Sequence, residues 1–118
     1  MTLAYAAPEV LAAFAGRQMI PADPAQDIWA LGVMAYECLT HSTVFPTFRN
    51  PRIVFAVAAG QSKYPWEEDV LDETFRRSRA RKLVLACLDR NPRSRVTAAE
   101  LLKTIDAFGN TITTEAPV

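Results

Sequence analysis

The run DIWALGVMAYECLT, residues 27–40, constrains this chain more than any other stretch. Its only charges are Asp27 and Glu37, and it is apolar almost all the way round. A helix of that character belongs in the middle of a fold rather than on its surface. It is also too short to cross a bilayer. Just before it, Asp23-Pro24-Ala25-Gln26 supplies a helix start: a capping Asp, Pro at the first helical position, and Gln three residues after the cap. The rest of the chain must therefore be read as material that wraps this helix.

That material is helical as well, with little strand alternation and only four glycines. Residues 5–14, YAAPEVLAAF, read as a short helix, and 15–24 as a loop punctuated by Gly16, Pro21 and Pro24. Pro46 and Pro51 bracket a second loop, and RIVFAVAAG (52–60) reads as a helix closed by Gly60. A loop over 61–70 leads to a helix over 74–89, basic first and then apolar. RNPRSR (90–95) reads as a turn, and Thr97-Ala98-Ala99-Glu100 fits a capping box. Ala98, Leu101, Leu102, Ile105 and Phe108 then follow at helical spacing. The aperiodic last ten residues read as a flexible tail, 109–118. The expected fold is mainly α, one small domain or part of a larger one over 1–108, with about four helices around the central one.

Bulk properties exclude several function classes. Thirteen basic and thirteen acidic residues cancel, which removes the global charge signature of nucleic-acid or anionic-membrane binding. No signal peptide or long apolar run is present, so no membrane partner is expected, and a cytoplasmic setting follows. Cys38 and Cys87 each lie inside an apolar run and read as buried, reduced thiols. With no CxxC and a single histidine, His41, no metal site is expected. The segment RRSRARK, 76–82, reads either as a solvated basic helix face or as a nuclear-import or nucleic-acid patch, and Ser78 within it as a phosphosite candidate.

Near the start, LAYAAPEV sets one carboxylate, Glu9, among apolar neighbours. Three segments then stand in order: TLAYAAPEV, DIWALGVMAYECLT and CLDRNPRSRVTAAELL. Together they resemble the C-terminal half of the large lobe of a eukaryotic-type protein kinase, over roughly residues 2–108. Ala7-Pro8-Glu9 matches the family's Ala-Pro-Glu signature. Asp27, Trp29 and Gly32 match its Asp-x-Trp-x-x-Gly motif. Cys87-Leu88, Pro92, Arg95, Thr97-Ala98 and Leu101-Leu102 match its closing pattern.

The resemblance implies partners for these residues. It pairs Glu9 with Arg95, a carboxylate–guanidinium contact that can be bidentate; the alternative is two separate surface charges. It makes Asp27 an acceptor for catalytic-loop backbone; the alternative is a helix-start charge favoured by the dipole. It places Trp29 and Tyr36 in the core, and Thr2 and Tyr5 at the substrate pocket of a Ser/Thr-directed kinase. It makes 52–60 a partner-docking helix, while Ile53, Val54, Phe55 and Val57 more often pack inward in such a helix, which leaves docking to the residues still exposed.

Phosphoryl transfer needs a nucleotide cradle, a phosphate-binding lysine, two magnesium ligands and a base. This sequence has no Gly-rich loop, no Val-Ala-x-Lys, no His-Arg-Asp and no Asp-Phe-Gly. No catalytic, cofactor-binding or metal residue is therefore assigned, and the isolated chain is expected to be inactive. ATP and Mg belong to the complete parent family. The expected function is the structural and substrate-facing part of a Ser/Thr protein kinase domain, acting on a protein substrate. The alternative is a non-catalytic, pseudokinase-like helical module that binds a protein partner.

Overall fold

The computed structural model describes residues 3–45 and 51–115, with 108–115 described as backbone only. The elements are α1 (Pro8–Ala15), α2 (Pro24–Thr40), α3 (Pro51–Ala58), α4 (Glu73–Arg77), α5 (Arg81–Cys87) and α6 (Ala98–Glu115). Single 3₁₀ turns cover Leu3–Tyr5 and Pro65–Glu67. No strand occurs among the described residues.

Helix α2 is the central element. Asp23 Oδ1 accepts from the Ala25 N–H at 2.8 Å, and Pro24 opens the helix where no N–H is needed. Its buried residues are Ile28, Trp29, Gly32, Val33 and Tyr36, which share one side. Gly32 lets α5 approach: a Cβ there would meet Cys87 Cβ at 2.8 Å and Leu88 at 2.9 Å. Helices α4 and α5 pack on α2, and α1 packs against α3.

The core is aromatic. Trp29 and Phe75 are fully buried, and Tyr64 and Trp66 nearly so. Trp29 meets Tyr64 and Trp66 edge-on, with ring centroids 5.1 and 5.8 Å away. Tyr36 meets Trp66 and Phe75 in the same way at 5.1 and 4.8 Å. Such pairings contribute beyond the area they bury, by about 0.5–1.5 kcal/mol each. The segment expected as a plain loop, 61–70, thus delivers two core side chains.

Other expectations are corrected. The helix read over 5–14 begins only at Pro8, because Ala7 precedes a proline and takes the extended conformation. The helix read over 74–89 is two helices. Ser78 leaves the helical region, and its hydroxyl accepts from the Ala80 N–H at 3.1 Å, a local alternative to the helical ladder. Cys87 is buried but Cys38 is exposed. The tail read from residue 109 continues instead as α6 through Glu115. That helix opens on the expected box: Thr97 Oγ1 accepts from the Glu100 N–H, and Glu100 Oε1 from the Thr97 N–H, both at 3.2 Å. Among the described side chains of its apolar stripe only Leu101 is buried, against Ile28 and Cys87, while Leu102 and Ile105 stay exposed.

Candidate functional site

Arg95 is where the separated motifs meet. Its side chain is wholly buried, and Glu9 is mostly covered. Nη1 donates to Glu9 Oε2 at 2.8 Å and Nη2 to Glu9 Oε1 at 2.9 Å, a bidentate fork. Nη1 also donates to the Ala25 carbonyl at 2.8 Å, and Nε to the Asp89 carbonyl at 2.9 Å. The guanidinium lies 5.2 Å from the centroid of the Trp29 ring. All three nitrogens are engaged, so the buried charge is both paired and hydrogen-bonded, as burial demands. Glu9 is fixed in the first turn of α1, after a proline that starts the helix. One guanidinium therefore ties α1, the start of α2 and the 89–95 turn together.

A second fork lies next to it. Arg90 Nε donates to Glu67 Oε2 at 2.7 Å and Nη2 to Glu67 Oε1 at 2.8 Å. Glu67 Oε1 also accepts the Tyr64 N–H at 2.8 Å. Arg90 reaches the Ala58 carbonyl at 3.1 Å and lies 4.7 Å from the Tyr64 ring centroid. The hydrogen bonds from Arg90 hold the Glu67 carboxyl below the usual carboxylate range, and the same contact raises Arg90. Burial pushes the Tyr64 hydroxyl up to about 12. The sequence reading missed this pair. Its signal was YPWE, with Pro at the first position of a turn and Glu at the third, where a carboxylate reaches back to the cap N–H.

A third contact involves Tyr5, which donates its hydroxyl to Glu37 Oε1 at 2.6 Å, while Glu37 Oε2 accepts the Val44 N–H at 2.9 Å. That bond raises the Tyr5 hydroxyl above its ordinary value. Glu37, one of only two charges in the central run, thereby fixes the segment before α1 and the segment after α2 on one carboxylate. Thr2, the other residue assigned to the substrate pocket, lies outside the described residues.

Asp27 stands apart from these contacts. It is exposed in the first turn of α2. Continuing along that face, Leu31 is 44% exposed, Met34 49%, and Cys38 is exposed too. Tyr5, Val10, Asp27, Ala30 and Met34 line a shallow recess of about 390 Å³ there. The structure thus brings Glu9, Arg95 and Trp29 together, places Tyr5 on Glu37, and leaves Asp27 on an open, largely apolar face. Among the described residues no group of three or more His, Cys, Asp or Glu side chains could hold a metal ion. No described helix is long and apolar enough to cross a membrane.

Comparisons with known proteins give the family. A family model described as protein kinase domain matches residues 1–105. Calcium-dependent protein kinase 27 of Arabidopsis thaliana is 34% identical over 101 residues, 83% of this chain and 18% of that protein. Serine/threonine-protein kinase sid1 of Schizosaccharomyces pombe is 37% identical over 79 residues, 67% of this chain and 15% of that protein. Calcium-dependent protein kinase SK5 of Glycine max is 31% identical over 102 residues, 84% of this chain and 17% of that protein. The matches thus span less than a fifth of each relative's length.

Proposed function

Because this chain belongs to the protein kinase domain family, we propose that it is the closing part of a serine/threonine kinase domain. In this reading it supplies the scaffold and the substrate-facing surface, while another segment supplies the nucleotide site and the catalytic loop. The open face of α2 carries the proposal. A central helix with Leu31, Met34 and Cys38 uncovered beside an exposed carboxylate, Asp27, is built to receive more protein. A catalytic-loop backbone laid across the N-terminal end of that face would offer N–H groups to Asp27 and cover the apolar residues beyond it. The Glu9–Arg95 fork would fix α1, and with it the segment that leads into the substrate pocket. Tyr5, held by Glu37, would line that pocket.

ATP and magnesium would supply the phosphoryl group and its charge neutralisation in the complete domain. No step is assigned to residues of this chain: its sequence carries no Gly-rich loop, and no group of three or more metal-ligating side chains occurs among the described residues. The parent activity in this reading is phosphorylation of serine or threonine in protein substrates.

The test is titration of the purified chain with ATP·Mg, followed by co-expression with the preceding half of a related kinase domain. The expected result is no nucleotide binding by the chain alone, and nucleotide binding with peptide phosphorylation by the complemented pair. Nucleotide binding by the chain alone would overturn the assignment of that site to another segment. A chain that melts cooperatively yet fails to complement would favour the non-catalytic binding module instead.

A further inference from the structure

We propose that the Glu67–Arg90 pair positions Arg95, so that the 61–67 loop and helix α1 behave as one coupled unit across the 89–95 turn. The inference concerns this chain's own geometry and stands apart from the assignment to a longer kinase.

Several contacts carry it. The two arginines share a backbone: Arg95 Nε donates to the Asp89 carbonyl at 2.9 Å, and Nη2 reaches the Arg90 carbonyl at 3.5 Å. The position of those carbonyls depends on where Arg90 is anchored, and Arg90 is anchored on Glu67, Ala58 and Ser62. The two arginines also share an aromatic wall. Arg90 covers Tyr64 and Arg95 covers Trp29, and those two rings meet edge-on at 5.1 Å. Glu67 fixes that wall directly through the Tyr64 N–H.

Arg95 has no freedom to absorb a shift. Its side chain is wholly buried, so a misplaced guanidinium would lose partners without gaining water. Displacement of the turn is therefore passed to the Glu9 fork and into the first turn of α1. The loop is the weaker half of the unit. Among the described residues the buried Trp66 indole N–H has no hydrogen-bond acceptor, which lowers the cost of opening the loop. Arg90 holds the last residue of α3 through the Ala58 carbonyl. A protein that pulls on the end of α3 would thus loosen α1, although α1 and the loop carry their carboxylates on separate arginines.

The experiment compares Glu67→Gln, Glu9→Gln, the double variant, and Phe75→Leu as a core control placed at Tyr36 rather than at either arginine. Denaturant unfolding gives the equilibrium constants, and hydrogen exchange reports the Val10 and Leu11 amides, which both bond to the Ala7 carbonyl. Coupling predicts that the Glu67→Gln fold-change in the unfolding constant shrinks at least threefold in the Glu9→Gln background. It also predicts exchange at Val10 and Leu11 about tenfold faster in Glu67→Gln than in Phe75→Leu at matched global stability. Multiplicative fold-changes, or exchange that follows global stability alone, would overturn it. If Glu67→Gln does not fold, Arg90→Lys keeps the charge but loses the fork, and is read by the same two measurements.

Discussion

The two sides of helix α2 are built on opposite terms. On one side Trp29, Val33 and Tyr36 are sealed under an aromatic cluster, and Arg95 beside them has partners on every guanidinium nitrogen. On the other side Leu31, Met34 and Cys38 remain open, and Asp27 stands exposed at their N-terminal end. Both sides come from one run of comparable hydropathy. The difference teaches that burial here follows what the chain wraps around the helix, not how apolar the helix is. The sealed side is a packed core whose buried charge, Arg95, is fully hydrogen-bonded. The open side has the composition of a core and lacks its cover.

The sharpest way to break this comparison is on the sealed side. Arg95→Ala leaves Glu9 without its fork, and Glu9→Ala leaves a buried guanidinium; each should cost about 3–5 kcal/mol. The double variant should cost clearly less than the sum, read by denaturant unfolding. Additive losses would mean that the fork is not a unit. Gly32→Ala comes next. Its methyl would press on Cys87 and Leu88 across the α2–α5 contact, at a cost of about 1–3 kcal/mol measured by thermal melting. An unchanged melt would show that α5 can back away, and that the sealed side is looser than its distances imply.

A smaller effect tests the second fork by pH. Arg90 holds the Glu67 carboxyl below its ordinary value, so the unfolded chain takes up this proton first as pH falls. The stabilisation is therefore present above the ordinary carboxylate pKa and is lost as pH drops through the lowered value in the folded protein. Both side chains are partly exposed, so about 1 kcal/mol is expected. The acid limb of the stability curve should flatten in Glu67→Gln, and an unaltered limb would remove this pair from the account. The smallest effect belongs to the open side. Met34→Ser should change the stability of this chain by no more than about 0.5 kcal/mol. The same change should weaken complementation by the preceding half of a kinase domain. A large loss in the chain alone would show that this face is already covered from within.

Much of the sealed side could be read in advance. Asp23-Pro24 marked the start of α2, the run after it marked the central helix, and Thr97 with Glu100 marked the start of α6. The Glu9–Arg95 contact was reached through the order of the motifs, since nothing local relates residues 86 positions apart. The second fork was not read, because Glu67 and Arg90 each look like ordinary surface charges in a polar stretch. Periodicity also failed where local hydrogen bonding competed with it, as at Ser78, which divides α4 from α5.

What the sequence determined by itself was therefore local: where helices begin, which run is too apolar for a surface, and which family the motifs resemble. Caps, prolines and hydrophobic periods act within a few residues, so they survive in one dimension. The tertiary structure alone decided which carboxylate each arginine grips, which face of α2 is sealed, and that a loop supplies Tyr64 and Trp66 to the core. Those outcomes depend on packing between residues far apart in the chain, where the partner that removes a group from water is known only once the helices have met.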